Sequence, residues 1–125
     1  MDKDEAGGAP AGQLDVFGRR WELRGGLLQE DVERYTRAFN EVVPRPVGFG
    51  EQRSAELKAA IVAGWIISPS CAAEEVSDLV KGTTTRRYVF DGVEIGKMKA
   101  REVYHYARLI SRRYVEETEP ADPNG

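Results

Sequence analysis

From Lys97 to Glu117 the apolar residues Val103, Tyr106, Ala107, Ile110 and Tyr114 recur at three- and four-residue spacing, with His105, Arg108, Arg112 and Glu116 on the other side. A period of 3.6 residues gathers that spacing into one apolar stripe, so the stretch predicts an amphipathic helix. Pro120 and Pro123 forbid its continuation, and Asp91-Gly92 marks a turn leading into it.

A second strong period lies earlier. At 100° per residue, Leu28, Val32, Tyr35, Phe39 and Val42 fall within roughly 80° of arc, while Gln29, Glu33, Arg37, Asn40 and Glu41 face away. Glu30 and Asp31 suit the positive end of this helix, although Leu28 stands where a hydroxyl cap is expected. Val43-Pro44-Arg45-Pro46 ends it. A further helix is predicted over about Glu51–Trp65, with Leu57, Ala60, Ile61, Gly64 and Trp65 on one side.

After the break at Ser68-Pro69-Ser70, Ser70 is placed to cap a third, short helix that carries Val76, Leu79 and Val80 and stops at Gly82. Thr83–Phe90 (TTTRRYVF) is β-branched and aromatic, and Asp91-Gly92 followed by Val93-Glu94-Ile95 predicts a two-residue hairpin, with an irregular loop as the rival. Leu14, Val16, Trp21 and Leu23 alternate around Gly18 as in a short strand or hairpin. The expected fold class is therefore α+β and predominantly α-helical, with about four helices and a minor β-hairpin or N-terminal strand element. It occupies residues 13–118, between a disordered tail at 1–12 and a flexible tail at 119–125.

At 125 residues the chain fits one domain. A net charge of -3 argues against general nucleic-acid binding. No run approaches the roughly 18 apolar residues of a membrane span, and Met1–Gly12 lacks the basic-then-apolar order of a signal peptide, so a cytoplasmic protein is expected. With one histidine, His105, and one cysteine, Cys71, no catalytic, cofactor-binding or metal-binding constellation can be drawn, and the chain is read as a non-enzyme without cofactors. His105 reads as a solvated surface residue. Cys71 opens the short predicted helix, where the dipole lowers a thiol pKa, but it has no partner base. Gly48-Phe49-Gly50 lacks the lysine and hydroxyl of a phosphate loop and reads as a connector. Glu74 and Glu75, adjacent on a helix, point to different sides and read as helix-start charges.

Trp21, Trp65, Tyr35 and Phe39 sit at positions the patterns bury. The cations Arg86, Arg87, Lys97, Lys99, Arg101, Arg108, Arg112 and Arg113 gather after the midpoint, a modest asymmetry that reads first as a solvated helix face salted with Glu102, Glu116 and Glu117, second as an electropositive face for an acidic partner, and last as one for nucleic acid. Tyr104 and Leu109 flank the stripe of the last helix and widen it beyond what one neighbour covers. Tyr104, Leu109, Arg108 and Arg112 are the candidate partner-binding residues, facing an acidic helical client.

Trp21-Glu22-Leu23-Arg24-Gly25 before Leu28-Gln29-Glu30-Asp31-Val32-Glu33-Arg34-Tyr35, then Leu57 to Ile66, and finally Phe90-Asp91-Gly92-Val93 leading through Met98 to Val103, Ala107 to Ile110, Tyr114 and Pro123-Asn124, resemble small proteins of the tail module of tailed bacteriophages. The resemblance spans roughly residues 21–124 and implies a tail assembly chaperone. Such a protein binds the tape-measure protein and tail-tube subunits in the cytoplasm of the bacterial host and does no chemistry. Two other classes stay open: a connector or tail-completion protein that forms a homo-oligomeric ring in the virion, and a small DNA-binding regulator.

Overall fold

The computed structural model describes residues 13–43 and 45–120. Along the chain run β1 (Glu22–Leu23), α1 (Gln29–Val42), α2 (Phe49–Ala63), β2 (Ile66–Ser68), β3 (Cys71–Asp78), β4 (Thr83–Phe90), β5 (Val93–Glu94), a 3-10 turn (Ile95–Lys97) and α3 (Ala100–Thr118). The architecture is α+β, with two small antiparallel sheets ordered β1-β2 and β3-β4-β5.

The middle helix organises the core. Ala55, Leu57, Ala59, Ala60, Ile61 and Ala63 of α2 are all buried, which a helix achieves only when it is covered on several sides. Both α1 and α3 pack on it. Its small side chains permit close approach, and closest is Gly50, where a Cβ would stand 2.9 Å from the Tyr104 hydroxyl. The Trp65 and Gly64 amides turn back onto the Ala60 and Ile61 carbonyls at 3.0 and 3.2 Å, closing the helix in a Schellman pattern. Trp65, fully buried, stacks on Tyr35 with centroids 4.4 Å apart and planes at 18°. At the other end of the core Trp21 and Phe90 lie 4.6 and 4.9 Å from the buried Tyr106 ring. Trp21, Trp65 and Tyr35 are thus core residues as their spacing predicts, and Phe39 packs partly buried at the core's edge.

The cap missing at Leu28 is supplied from within α1. The Asp31 carboxylate accepts the Leu28 amide at 2.9 Å and draws in Arg24 and Arg34, each at 3.2 Å. Only the N3 half of a capping box is needed to satisfy that donor. The Leu28 amide and the two guanidinium groups hold the Asp31 carboxyl below its usual pKa, against the opposing effect of burial. A carboxylate whose pKa falls on folding stabilises the fold fully above its unfolded value of about 3.9 and loses that contribution as the pH drops through the folded value. Urea midpoints of the parent protein are therefore expected to fall more steeply below about pH 4 than those of Asp31→Asn, which cannot titrate. Parallel acid profiles would contradict this assignment.

Three helices are present among the described residues, where the sequence predicts about four. Residues 71–78, expected in a short helix, form β3 instead. They pair antiparallel with β4, Cys71 opposite Phe90 through Asp78 opposite Thr83. Tertiary pairing overrides local preference, because β4 is strongly β-forming and sets Arg87 and Arg86 opposite Glu74 and Glu75. The stop predicted at Gly82 is real but belongs to a turn: Asp78 Oδ1 accepts the Val80 and Lys81 amides at 3.0 and 3.1 Å. The Asp91-Gly92 hairpin forms as predicted, with Phe90 opposite Val93 and positive φ at both turn residues, 52° and 80°.

Gly48 caps α2 and Phe49-Gly50 begin it, so the expected connector is a helix start. The predicted N-terminal hairpin reduces to a turn around Gly18 followed by β1, which pairs with β2. The tail expected at 1–12, and residues 121–125 of the tail expected at 119–125, lie outside the described residues.

Candidate functional site

Arg101, Tyr104, His105 and Arg108 follow one another at helical spacing on α3, and with Ala100 and Phe17 they line an open cleft of about 440 Å³. Phe17 reaches this place from far away in sequence through a turn built on Asp15, whose Oδ1 accepts the Phe17 and Arg19 amides, each at 2.9 Å. The Tyr106 hydroxyl donates to Asp15 Oδ2 at 2.5 Å and so ties the turn to α3. Arg19 adds pairs to Asp91 and Glu102, each at 2.9 Å. The Phe17 ring then meets His105 edge-on at 5.1 Å.

On the other side of the cleft the Tyr104 ring meets Phe49 edge-on at 5.5 Å, and Phe49 remains 62% exposed beneath the Arg53 guanidinium. The result is an aromatic ledge of Phe17, His105, Tyr104 and Phe49 with the exposed cations Arg101 and Arg108 on the same helix. Such a surface suits a partner segment that offers apolar side chains flanked by carboxylates.

The structure brings together Tyr104 and Arg108 of the four predicted contact residues. Arg112 is exposed one turn beyond the cleft lining, and Leu109 departs from expectation. Leu109 is only 4% exposed within the core cluster, so it packs inward and is not offered to a partner. The core covers the stripe of α3 on its Leu109 side, while Tyr104, on its other side, is half-buried at the cleft. Arg113 is also turned inward, donating to the Arg24 carbonyl oxygen of the segment after β1.

His105 is half-buried against Phe17 and Tyr106, not solvated as predicted, and its Nε2 is buried without a hydrogen-bond partner among the described residues. Burial lowers its pKa, the nearby Arg108 adds to the effect, and Asp15 opposes it. The imidazole is therefore neutral at pH 7, and the positive charge of the cleft comes from arginine.

Cys71 begins a strand rather than a helix, so no helix dipole activates it. Burial raises its thiol to about 11, outweighing the favourable bond from the Asp91 backbone. It is a protonated, unreactive thiol at neutral pH. Glu74 and Glu75, adjacent on β3, project to opposite faces of the sheet and pair with Arg87 and Arg86 at 2.8 and 3.7 Å.

A second cleft of about 230 Å³ lies among Tyr35, Thr36, Phe39, Glu56, Ser111 and Tyr114. Its buried carboxylate, Glu56, is already paired with Arg53 at 2.8 Å. Among the described residues no group of three or more His, Cys, Asp and Glu is placed to hold a metal ion, and no helix is long and apolar enough to cross a membrane. Comparison with protein-family models, with curated proteins and with solved structures finds no match to this chain.

Proposed function

We propose that this protein is a non-catalytic binding module that takes an acidic helical segment of a protein partner into the α3 cleft, as a phage tail assembly chaperone would take tape-measure and tail-tube proteins. The observation that carries this reading is the convergence of Phe17, Tyr104, Arg101 and Arg108, from two distant parts of the chain, on one open surface. A volume of about 440 Å³ accommodates a few side chains of a helix rather than a whole helix, so the partner is gripped at one anchor point and released readily. Exposed arginines each contribute little, on the order of 1 kcal/mol or less, and their effect is screened by salt. They steer and orient an acidic client while the aromatic ledge supplies affinity.

The experiment is retention of co-expressed tape-measure protein by this chain and by its Arg101→Glu/Arg108→Glu variant. Reversing two charges that face an acidic client is expected to weaken retention about tenfold or more at low salt, with the difference shrinking as salt rises. Substituting Leu109 with a charged residue tests folding rather than contact, because the side chain is buried.

A further inference from the structure

Leu79 and Val80 sit in the turn of the β3–β4 hairpin, 92% and 97% exposed. Every residue from Ala72 to Arg87 is exposed, so the hairpin stands clear of the core along that whole length, a reach of roughly 20 Å at about 3.3 Å per residue. A hairpin turn is satisfied by polar residues and glycine, which Asp78 and Gly82 supply, so the turn itself has no need of two adjacent aliphatic side chains.

The tip is built as one turn of helix. Asp78 Oδ1 accepts the Val80 and Lys81 amides at 3.0 and 3.1 Å, as a helix N-cap does. The Gly82 amide closes back on the Asp78 carbonyl at 2.8 Å, a bond across four residues, and Gly82 at φ 67° stops the turn. Leu79 and Val80 are thus offered from a helical backbone with the Asp78 carboxylate beside them. The α3 cleft suits that combination, with Phe17 and Tyr104 for the aliphatic pair and Arg101 or Arg108 for the carboxylate. The tip does not lie in its own cleft, since both aliphatic side chains are almost fully exposed.

We propose that the hairpin tip of one copy of this chain, Leu79-Val80 with Asp78, occupies the α3 cleft of a second copy as a stand-in for the client. The inference rests on the reading of that cleft as the client site. Only the tip enters the second copy, the length of the hairpin keeps the two folded bodies apart, and no strand edge takes part. Tip and cleft are different surfaces, so the contact is heterologous. Two aliphatic side chains and one exposed ion pair make a small contact, so self-association is weak and a client with more to offer displaces it.

The test divides the contact between two chains. Isotopically labelled Leu79→Ser/Val80→Ser keeps the cleft, and unlabelled Arg101→Glu/Arg108→Glu keeps the tip. All four substituted side chains are exposed, so both variants are expected to fold as the parent does. As the unlabelled chain is added, amide resonances of the labelled one are expected to shift progressively around Phe17, Tyr104 and Arg108. A titrant that also carries Leu79→Ser/Val80→Ser is expected to bind at least about tenfold more weakly. One that also carries Asp78→Asn, which keeps the cap and loses the charge, is expected to bind about threefold more weakly.

No shift at the cleft at any titrant concentration overturns the proposal, even if the tip is found to bind the client or a lipid surface instead. Shifts that survive loss of both aliphatic side chains overturn it as well. Client retention by the same variants separates this inference from the one beneath it. Retention that depends on Arg101 and Arg108 without any cleft shift sinks the self-contact alone, whereas cleft shifts with retention indifferent to those arginines leave the self-contact standing and remove the client from the cleft.

Discussion

Trp65→Ala is expected to lower the free energy of unfolding by about 4 kcal/mol, out of the roughly 5–15 kcal/mol available to a domain of this size. Trp65 is fully buried just beyond the end of α2 and ties three elements together. Its ring stacks on Tyr35 of α1, its Nε1 donates to the Asp31 carbonyl at 3.2 Å, and its own carbonyl accepts the Arg24 amide at 2.8 Å beside β1. Removing the indole opens a cavity between helices whose backbones cannot easily close it, and leaves the Asp31 carbonyl without that donor. Trp65→Phe keeps much of the stacking and is expected to cost less than half as much. Denaturant titrations of the two variants check the ordering, and a loss below about 1.5 kcal/mol for Trp65→Ala would mean that the core is not organised around this side chain.

The second large effect is at Arg19. Its side chain is 15% exposed, pairs with Asp91 and Glu102 at 2.9 Å each, and lies over the Phe90 and Tyr106 rings at 5.2 and 5.6 Å. Arg19→Met is expected to cost about 3 kcal/mol, mainly because it leaves the equally shielded Glu102 carboxylate without a partner among the described residues. Adding Glu102→Leu removes the stranded charge and should recover much of the loss, which a simple sum of two damaging substitutions does not allow. The Asp91 turn loses its Arg19 side-chain anchor in both variants and keeps the Asp91 amide bond to the Ser70 carbonyl, so amide exchange near Phe90–Val93, at the base of the β3–β4 hairpin, is expected to quicken. Strict additivity in denaturant titrations would show that Arg19 and Glu102 act independently.

What the sequence reveals and what it hides divide along the range of the forces involved. α1 and α3 are legible because a 3.6-residue stripe is a local pattern, and the Asp91-Gly92 turn is legible because positive φ restricts the residues that occupy it. The stretch Ala72-Ala73-Glu74-Glu75-Val76 favours helix locally, and only the strand opposite, Thr83–Phe90, makes it β3; that pairing is invisible until the two segments are juxtaposed. Leu109 is misjudged for a related reason: a wide stripe shows how much apolar surface a helix has, not how many neighbours cover it. Tyr104 and Arg108 can be found from the face of one helix. Phe17 and Phe49 cannot, since an Asp15 turn and a glycine-flanked helix start carry them there. Asp15-Val16-Phe17-Gly18 does contain the turn chemistry, but not its destination.

The central claim, that the α3 cleft holds the client, is tested most directly by photo-crosslinking from a benzoylphenylalanine placed at Arg108, exposed in the cleft lining, in the protein co-expressed with tape-measure protein. A parallel probe at Arg37, exposed on α1, serves as the control. The account predicts a client crosslink from position 108 that maps to an acidic helical segment and is absent from position 37. Crosslinking to the client from position 37 and none from position 108 would contradict it.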